Sequence, residues 1–230
     1  MAPNISIPAR FTQNALLKEI LLICGILSSL LYVAMNVFVA IADPEYNSAS
    51  QTVSELSAID APTRSLWVPW SFVYTFLVVA FGWGVWLSAG GMRIIRIVGA
   101  LIFAYGALGF GWPFVPMHLR EVLASGGGTL TDTMHLIFAG VTVVIMLLAI
   151  GFGAAALGSS FRLYSILTIL IQALFGILTG LDAPKLEANL PTPWIGVWER
   201  INIGIFLLWV IVLAIALLRK EKASRAILVN

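Results

Sequence analysis

Charge is the scarcest property of this chain. Asp, Glu, Lys and Arg make up 10% of its 230 residues, against about 25% in a typical soluble globular protein. So few charges cannot cover a water-facing surface of this size. With 60% hydrophobic residues, lipid must be the solvent for most of the chain. The net charge of +2 excludes the strongly basic surface that a nucleic-acid partner requires. Cysteine is absent except for Cys24. One thiol forms neither an internal disulfide nor a CxxC redox pair, and Cys24 reads as a small apolar packing residue. Histidine occurs only as His118 and His135. No HExxH spacing and no GxSxG elbow is present. No lysine falls within an apolar run, which excludes a retinal Schiff base. No carboxylate lies near the middle of one, where proton relays usually sit.

What the sequence has in abundance is long apolar runs. A helix needs about 20 such residues to cross the hydrocarbon core. Six stretches qualify, at about 20–42, 67–89, 94–115, 133–157, 163–181 and 201–218. None alternates with the period of two expected of barrel strands. The predicted fold is therefore all-α: one integral membrane domain over residues 1–230, a polytopic bundle of six transmembrane helices. The N-terminal segment carries no cleavage pattern after its apolar run, so the first helix reads as retained.

Loop charge sets the orientation. Arg10, Lys18, Arg93, Arg96, Arg162, Arg219, Lys220, Lys222 and Arg225 fall on one side, nine of the 13 basic residues. Nine of the 11 acidic residues fall on the other. The positive-inside rule puts both termini in the cytoplasm of an inner (plasma) membrane protein, so the sequon Asn4-Ile5-Ser6 carries no weight. Trp67, Trp70, Trp112, Trp194 and Trp198 sit near the outer boundary and Trp86 near the inner one, as an aromatic belt requires. Gly176 and Gly180 form a GxxxG, and Gly99, Gly106, Gly109 and Gly111 smooth the third helix; both are expected to let backbones approach.

The outer loops gather the polar residues. Thr52 with Glu55 is a capping-box spacing, so a short helix is expected, with Val53, Leu56 and Ile59 on one face and Ser54 and Glu55 turned elsewhere. Two prolines end the third helix before His118 and Arg120. Asp132 and His135, three apart, share a face of the fourth helix. His135 falls about one turn into the membrane, where a polar ring requires a partner. Glu199 and Arg200 open the sixth helix. The helix dipole favours the acid and disfavours the cation, so Arg200 is expected to pair with a carboxylate or an anionic head group. Asn36 is placed to join this layer.

Two readings follow. In the first, Ser54, Glu55, His118, Arg120, His135, Glu199 and Arg200 form an extracytoplasmic-side pocket that binds a lipid or other amphiphile. In the second, His135, with Asp132 or Glu199, serves a membrane-embedded hydrolase or transferase acting on a lipid head group or ester. Metal assistance would have to use His118 and His135 and lean on carboxylates, because zinc catalysis usually takes three protein ligands. No cofactor is expected, a membrane lipid is the expected partner, and the oligomeric state is left open.

The segment Ser54-Glu55-Leu56-Ser57-Ala58 after the first helix resembles the Ser-Glu-Leu or Ser-Asp-Leu motif of the prokaryotic membrane proteins called domain of unknown function 998. The proline-terminated third helix, the histidine opening the fourth and Glu199-Arg200-Ile201 opening the sixth are similar to that family too, and the resemblance runs over nearly the whole chain. That family is distantly similar to the Frag1/DRAM/Sfk1 group of six-helix proteins, whose members are linked to lipid remodelling, lipid asymmetry or autophagy. The resemblance implies the six-helix layout and marks Ser54 and Glu55 as motif positions, with Glu55 standing where that group has Asp. Ceramidase-like membrane hydrolases use three histidines and are set aside, since this chain has two.

Overall fold

The computed structural model describes residues 9–229; the Asn4 sequon lies outside them. Seven α-helices are present among the described residues: α1 (Ala9–Ile41), α2 (Arg64–Leu87), α3 (Arg93–Gly109), the short α4 (Arg120–Ala124), α5 (Leu130–Ala154), α6 (Ser159–Glu187) and α7 (Ile195–Val229). All except α4 are long and apolar enough to cross a membrane. The expected six spans are there, with different limits. α1, α6 and α7 extend well past their apolar runs, because helical hydrogen bonding does not stop where the hydrocarbon does. α6 continues through Pro184 to Glu187 instead of ending near residue 181. α5 begins at Leu130, three residues early, where Thr129 and Asp132 form a reciprocal capping box.

The long helices pack in chain order, α1 on α2, α2 on α3, α3 on α5, α5 on α6 and α6 on α7, and α7 packs back on α1. The result is a closed ring. Six alternating spans leave the start of α1 and the end of α7 at one end, the terminal end; the long loops occupy the other, the loop end. The terminal half of the ring is filled by Phe81, Ile102, Ile150, Phe206, Trp209 and Leu213, all fully buried. The indole of Trp209 donates to Ser165 at 3.0 Å, which meets its polar demand inside the core. Large apolar side chains such as Phe38, Phe76, Leu163 and Ile177 are exposed on the perimeter. An apolar girdle of this extent fits lipid, not water.

Close helix packing is uneven around the ring. A Cβ at Gly82 would lie 2.5 Å from the backbone nitrogen of Phe103, and one at Gly99 would lie 2.6 Å from that of Trp86. Glycine thus lets α2 and α3 touch backbone to backbone. The GxxxG of α6 does not work this way. A Cβ at Gly180 would meet nothing within 4 Å, and one at Gly176 would meet only the Asn202 amide. Beside Gly180, α6 leaves open space instead of closing on a neighbouring helix.

The first loop lies against the loop end of the ring. Its expected helix is a single 3-10 turn, Ser54–Ser57. Val53 and Leu56 are buried as the pattern requires, but Glu55 is buried with them, at 3% exposure, and does not point into solvent. Trp67, assigned above to the interfacial belt, is also buried, edge-on to Tyr32.

Candidate functional site

The polar residues of the loop end form two groups with different surroundings. The first group ties the loops together. The Glu55 carboxylate accepts from the Thr52 backbone N–H at 2.6 Å and the Thr52 hydroxyl at 3.0 Å. Its remaining capacity is taken by Arg120, whose Nε and Nη2 lie 2.8 and 2.9 Å from the two oxygens. Arg120 also donates to Ser50 O and Thr192 Oγ1. One ion pair thereby joins the first, second and third loops, and its bidentate geometry suits a buried position.

Arg200 joins the first loop to α7 and α1. Its guanidinium donates to Asn36 Oδ1, to the backbone carbonyls of Ser48, Gln51 and Gly196, and to the Tyr46 hydroxyl. It also stands over the Tyr46 ring, 5.6 Å from its centroid. These hydrogen-bond partners are neutral, so oriented carbonyl dipoles stand where a carboxylate was expected. Tyr46 in turn donates to Thr52 O at 2.7 Å. Burial pushes its phenol up to about 12, against the opposing pull of Arg200 beside it.

Asp132 is likewise occupied. Its carboxylate accepts from the His118 backbone N–H at 2.7 Å, His118 Nδ1 at 2.9 Å and the Thr129 N–H at 2.8 Å. It serves His118 and the start of α5, not His135, although sequence spacing put Asp132 and His135 on one face.

The second group faces a cavity. A space of about 630 Å³ lies inside the ring at the loop end, bounded by all six long helices and the 3-10 turn. Of the residues expected at the site, Ser54, His135 and Glu199 line it; Glu55, His118, Asp132, Arg120 and Arg200 do not. Its volume is that of a pocket for a drug-sized molecule. It extends along α5 from His135 to Met146 and Leu147, a depth of roughly 18 Å at the helical rise. The walls are apolar and aromatic for the most part. Leu136, Gly140, Ile177 and Gly180 line the cavity and are also exposed on the bundle's flank. The space therefore opens sideways between α5 and α6, within the spanning segments.

At the cavity's head, His135 Nδ1 lies 2.8 Å from Val115 O. A carbonyl only accepts, so in the neutral ring Nδ1 carries the proton and Nε2 is the acceptor. Ser54 Oγ lies 3.0 Å from that Nε2, and the hydroxyl donates to it. Trp112 packs edge-on against the imidazole at 4.9 Å between centroids, fixing its plane. Glu199, just past the first turn of α7, accepts a short hydrogen bond from the Val53 N–H, immediately before Ser54.

Several cavity residues were missed by sequence reasoning. Arg64 lines the space and donates to the Ser57 and Pro113 carbonyls. Among the described residues it forms no ion pair. Deeper, Thr142 and Gln172 line the cavity while Thr142 Oγ1 and Gln172 Oε1 are buried without a hydrogen-bond partner. Asn202 beside them donates to Gln172 O. The signal was available in principle: a glutamine in the middle of an apolar span is costly and needs a reason.

No group of three or more His, Cys, Asp or Glu side chains suited to a metal ion occurs among the described residues. His118 and His135, the residues a metal would have needed, have separate partners.

A family model described as "Protein of unknown function (DUF998)" matches residues 26–216. No curated protein and no solved structure matches the chain.

Proposed function

The chain belongs to the DUF998 family, and on that premise we propose that it binds one amphiphile, a membrane lipid, with the apolar body in the ring's cavity and the polar head beneath the first loop. The observation that carries this reading is the cavity itself: apolar along its walls, polar at its head, and open to the flank between α5 and α6. A soluble ligand would need a route from water. A lipid needs only the lateral gap that Leu136, Gly140, Ile177 and Gly180 border. Arg64, Ser54, His135 and Glu199 supply donors and acceptors where a head group would lie.

The same reading places the loop end on the extracytoplasmic side of the plasma (inner) membrane. Support comes from the nine basic residues that the sequence assigns to the terminal end. The ligand is then taken from the outer leaflet.

The test is native mass spectrometry of protein purified in mild detergent, with lipid extraction from the same sample. One lipid class held at one molecule per chain is expected. Adding that lipid back to delipidated protein should raise the melting temperature, since a ligand at 100 times its Kd stabilises by about 2.7 kcal/mol. Protein that carries detergent alone, and that no lipid stabilises, overturns the reading.

A further inference from the structure

We propose that Ser54 and His135 are the nucleophile and general base of an acyl transfer from a carboxylic ester of the bound amphiphile. The inference rests on the lipid reading above and adds a reaction to it. Three features of the geometry point to chemistry at this pair.

The first is the pairing itself. Ser54 Oγ and His135 Nε2 are 3.0 Å apart, the separation at which a base withdraws a hydroxyl proton. The second is the orientation of the base. The Val115 carbonyl, 2.8 Å from Nδ1, fixes the tautomer that leaves Nε2 free to accept. In hydrolytic triads a third group holds the histidine in this way; here a backbone carbonyl takes that position. The third is placement. Both side chains line an apolar cavity that opens to the membrane flank, so an ester drawn in from lipid would present its carbonyl to the pair. A Ser–His contact made only to hold loop to helix needs no such cavity beside it.

The step balances without a metal or redox partner. Ser54 Oγ adds to the ester carbonyl carbon while its proton passes to Nε2 of His135. Collapse breaks the acyl C–O bond, and the imidazolium returns the proton to the departing alkoxide. The acyl group is left on Ser54. Water or a second alcohol then adds to that acyl carbon and gives its proton to Nε2. The bond to Ser54 breaks and the serine recovers a proton from His135. Arg64 lines the same space and donates to the Ser57 carbonyl, in the turn that carries Ser54. It is the cation available to the oxygen that becomes negative.

The experiment uses a long-chain alkyl fluorophosphonate on the full-length protein in detergent, read by peptide mass spectrometry. Covalent labelling of Ser54 is expected, competed by the co-purified lipid. Labelling should slow by about a hundredfold or more in His135→Ala, the usual range for loss of a general base. Ser54→Cys should instead be modified by a long-chain iodoacetamide faster in the presence of His135 than in its absence. An unlabelled Ser54 in folded, lipid-retaining wild-type protein overturns the catalytic proposal and leaves the binding reading standing. Loss of lipid retention in the wild type would overturn both.

Discussion

Arg120 and Glu55 lie 65 positions apart in the chain, yet the guanidinium meets both carboxylate oxygens, Nε at 2.8 Å and Nη2 at 2.9 Å. Their side chains are 12% and 1% exposed. The pair is a buried clasp across three loops, and it holds the turn that carries Ser54.

Removing one partner should therefore leave a buried charge with no counter-charge. Arg120→Met or Glu55→Gln is expected to cost about 3–5 kcal/mol, read as a fall in melting temperature in detergent. The double substitution should recover a large part of that loss. Equal melting temperatures for all four proteins would show that the clasp contributes nothing to the fold.

Two glycines should respond in opposite ways. Gly99→Ala drives a Cβ to 2.6 Å from the Trp86 backbone nitrogen, and overpacking of this kind costs about 1–3 kcal/mol. At Gly180 an added Cβ meets no atom within 4 Å, and Gly180→Leu removes a helix-interior glycine, a gain of up to about 1 kcal/mol. The second variant should keep or raise the melting temperature while retaining less lipid, because leucine fills the gap between α5 and α6. Unchanged lipid content in Gly180→Leu would place the ligand's route elsewhere.

The contrast between these glycines marks where the sequence stopped being informative. Both sets consist of small residues at helical spacing. Only the neighbouring helix decides whether the space is filled, as at Gly99, or left as a gap, as at Gly180. The six spans were legible because hydrophobic runs have a required length. The gathering of polar residues at one end was legible from their positions relative to those runs. Their partners were not. Asp132 and His135 share a helix face, but the second loop brings His118 to the acid and the first brings Ser54 to the imidazole. Arg200 was expected to seek a carboxylate or an anionic head group; within the protein, backbone carbonyls meet it instead of a carboxylate, and no residue pattern encodes a carbonyl's direction. A cavity is still less visible, being a property of how six helices diverge.

Sidedness is open to a direct measurement. In a variant with Cys24 replaced by Ala, Glu45→Cys puts a thiol on an exposed stretch of the first loop. It should react with a membrane-impermeant maleimide applied to intact spheroplasts, whereas Ser224→Cys at the terminal end should react only after lysis. The reverse pattern would invert the orientation.

Tyr46 should titrate late. Its phenol, ordinarily near 10, stands at about 12 through burial. With the folded value above the unfolded one, its contribution to stability is complete below pH 10 and is lost as pH rises from there towards 12. The difference in phenolate absorbance between wild type and Tyr46→Phe should therefore appear near pH 12. A difference centred on pH 10 would show that the first loop does not enclose the ring.

The closure of the ring by α1 against α7 bears on biosynthesis. α1 is made well before α7, yet the two are neighbours, and Glu199 and Asn202 come from α7. A nascent chain halted after α6 would have an open trough in place of a chamber, with Ser54 and His135 lacking one wall. The chamber is thus completed only once α7 has been made and has docked against α1 and α6.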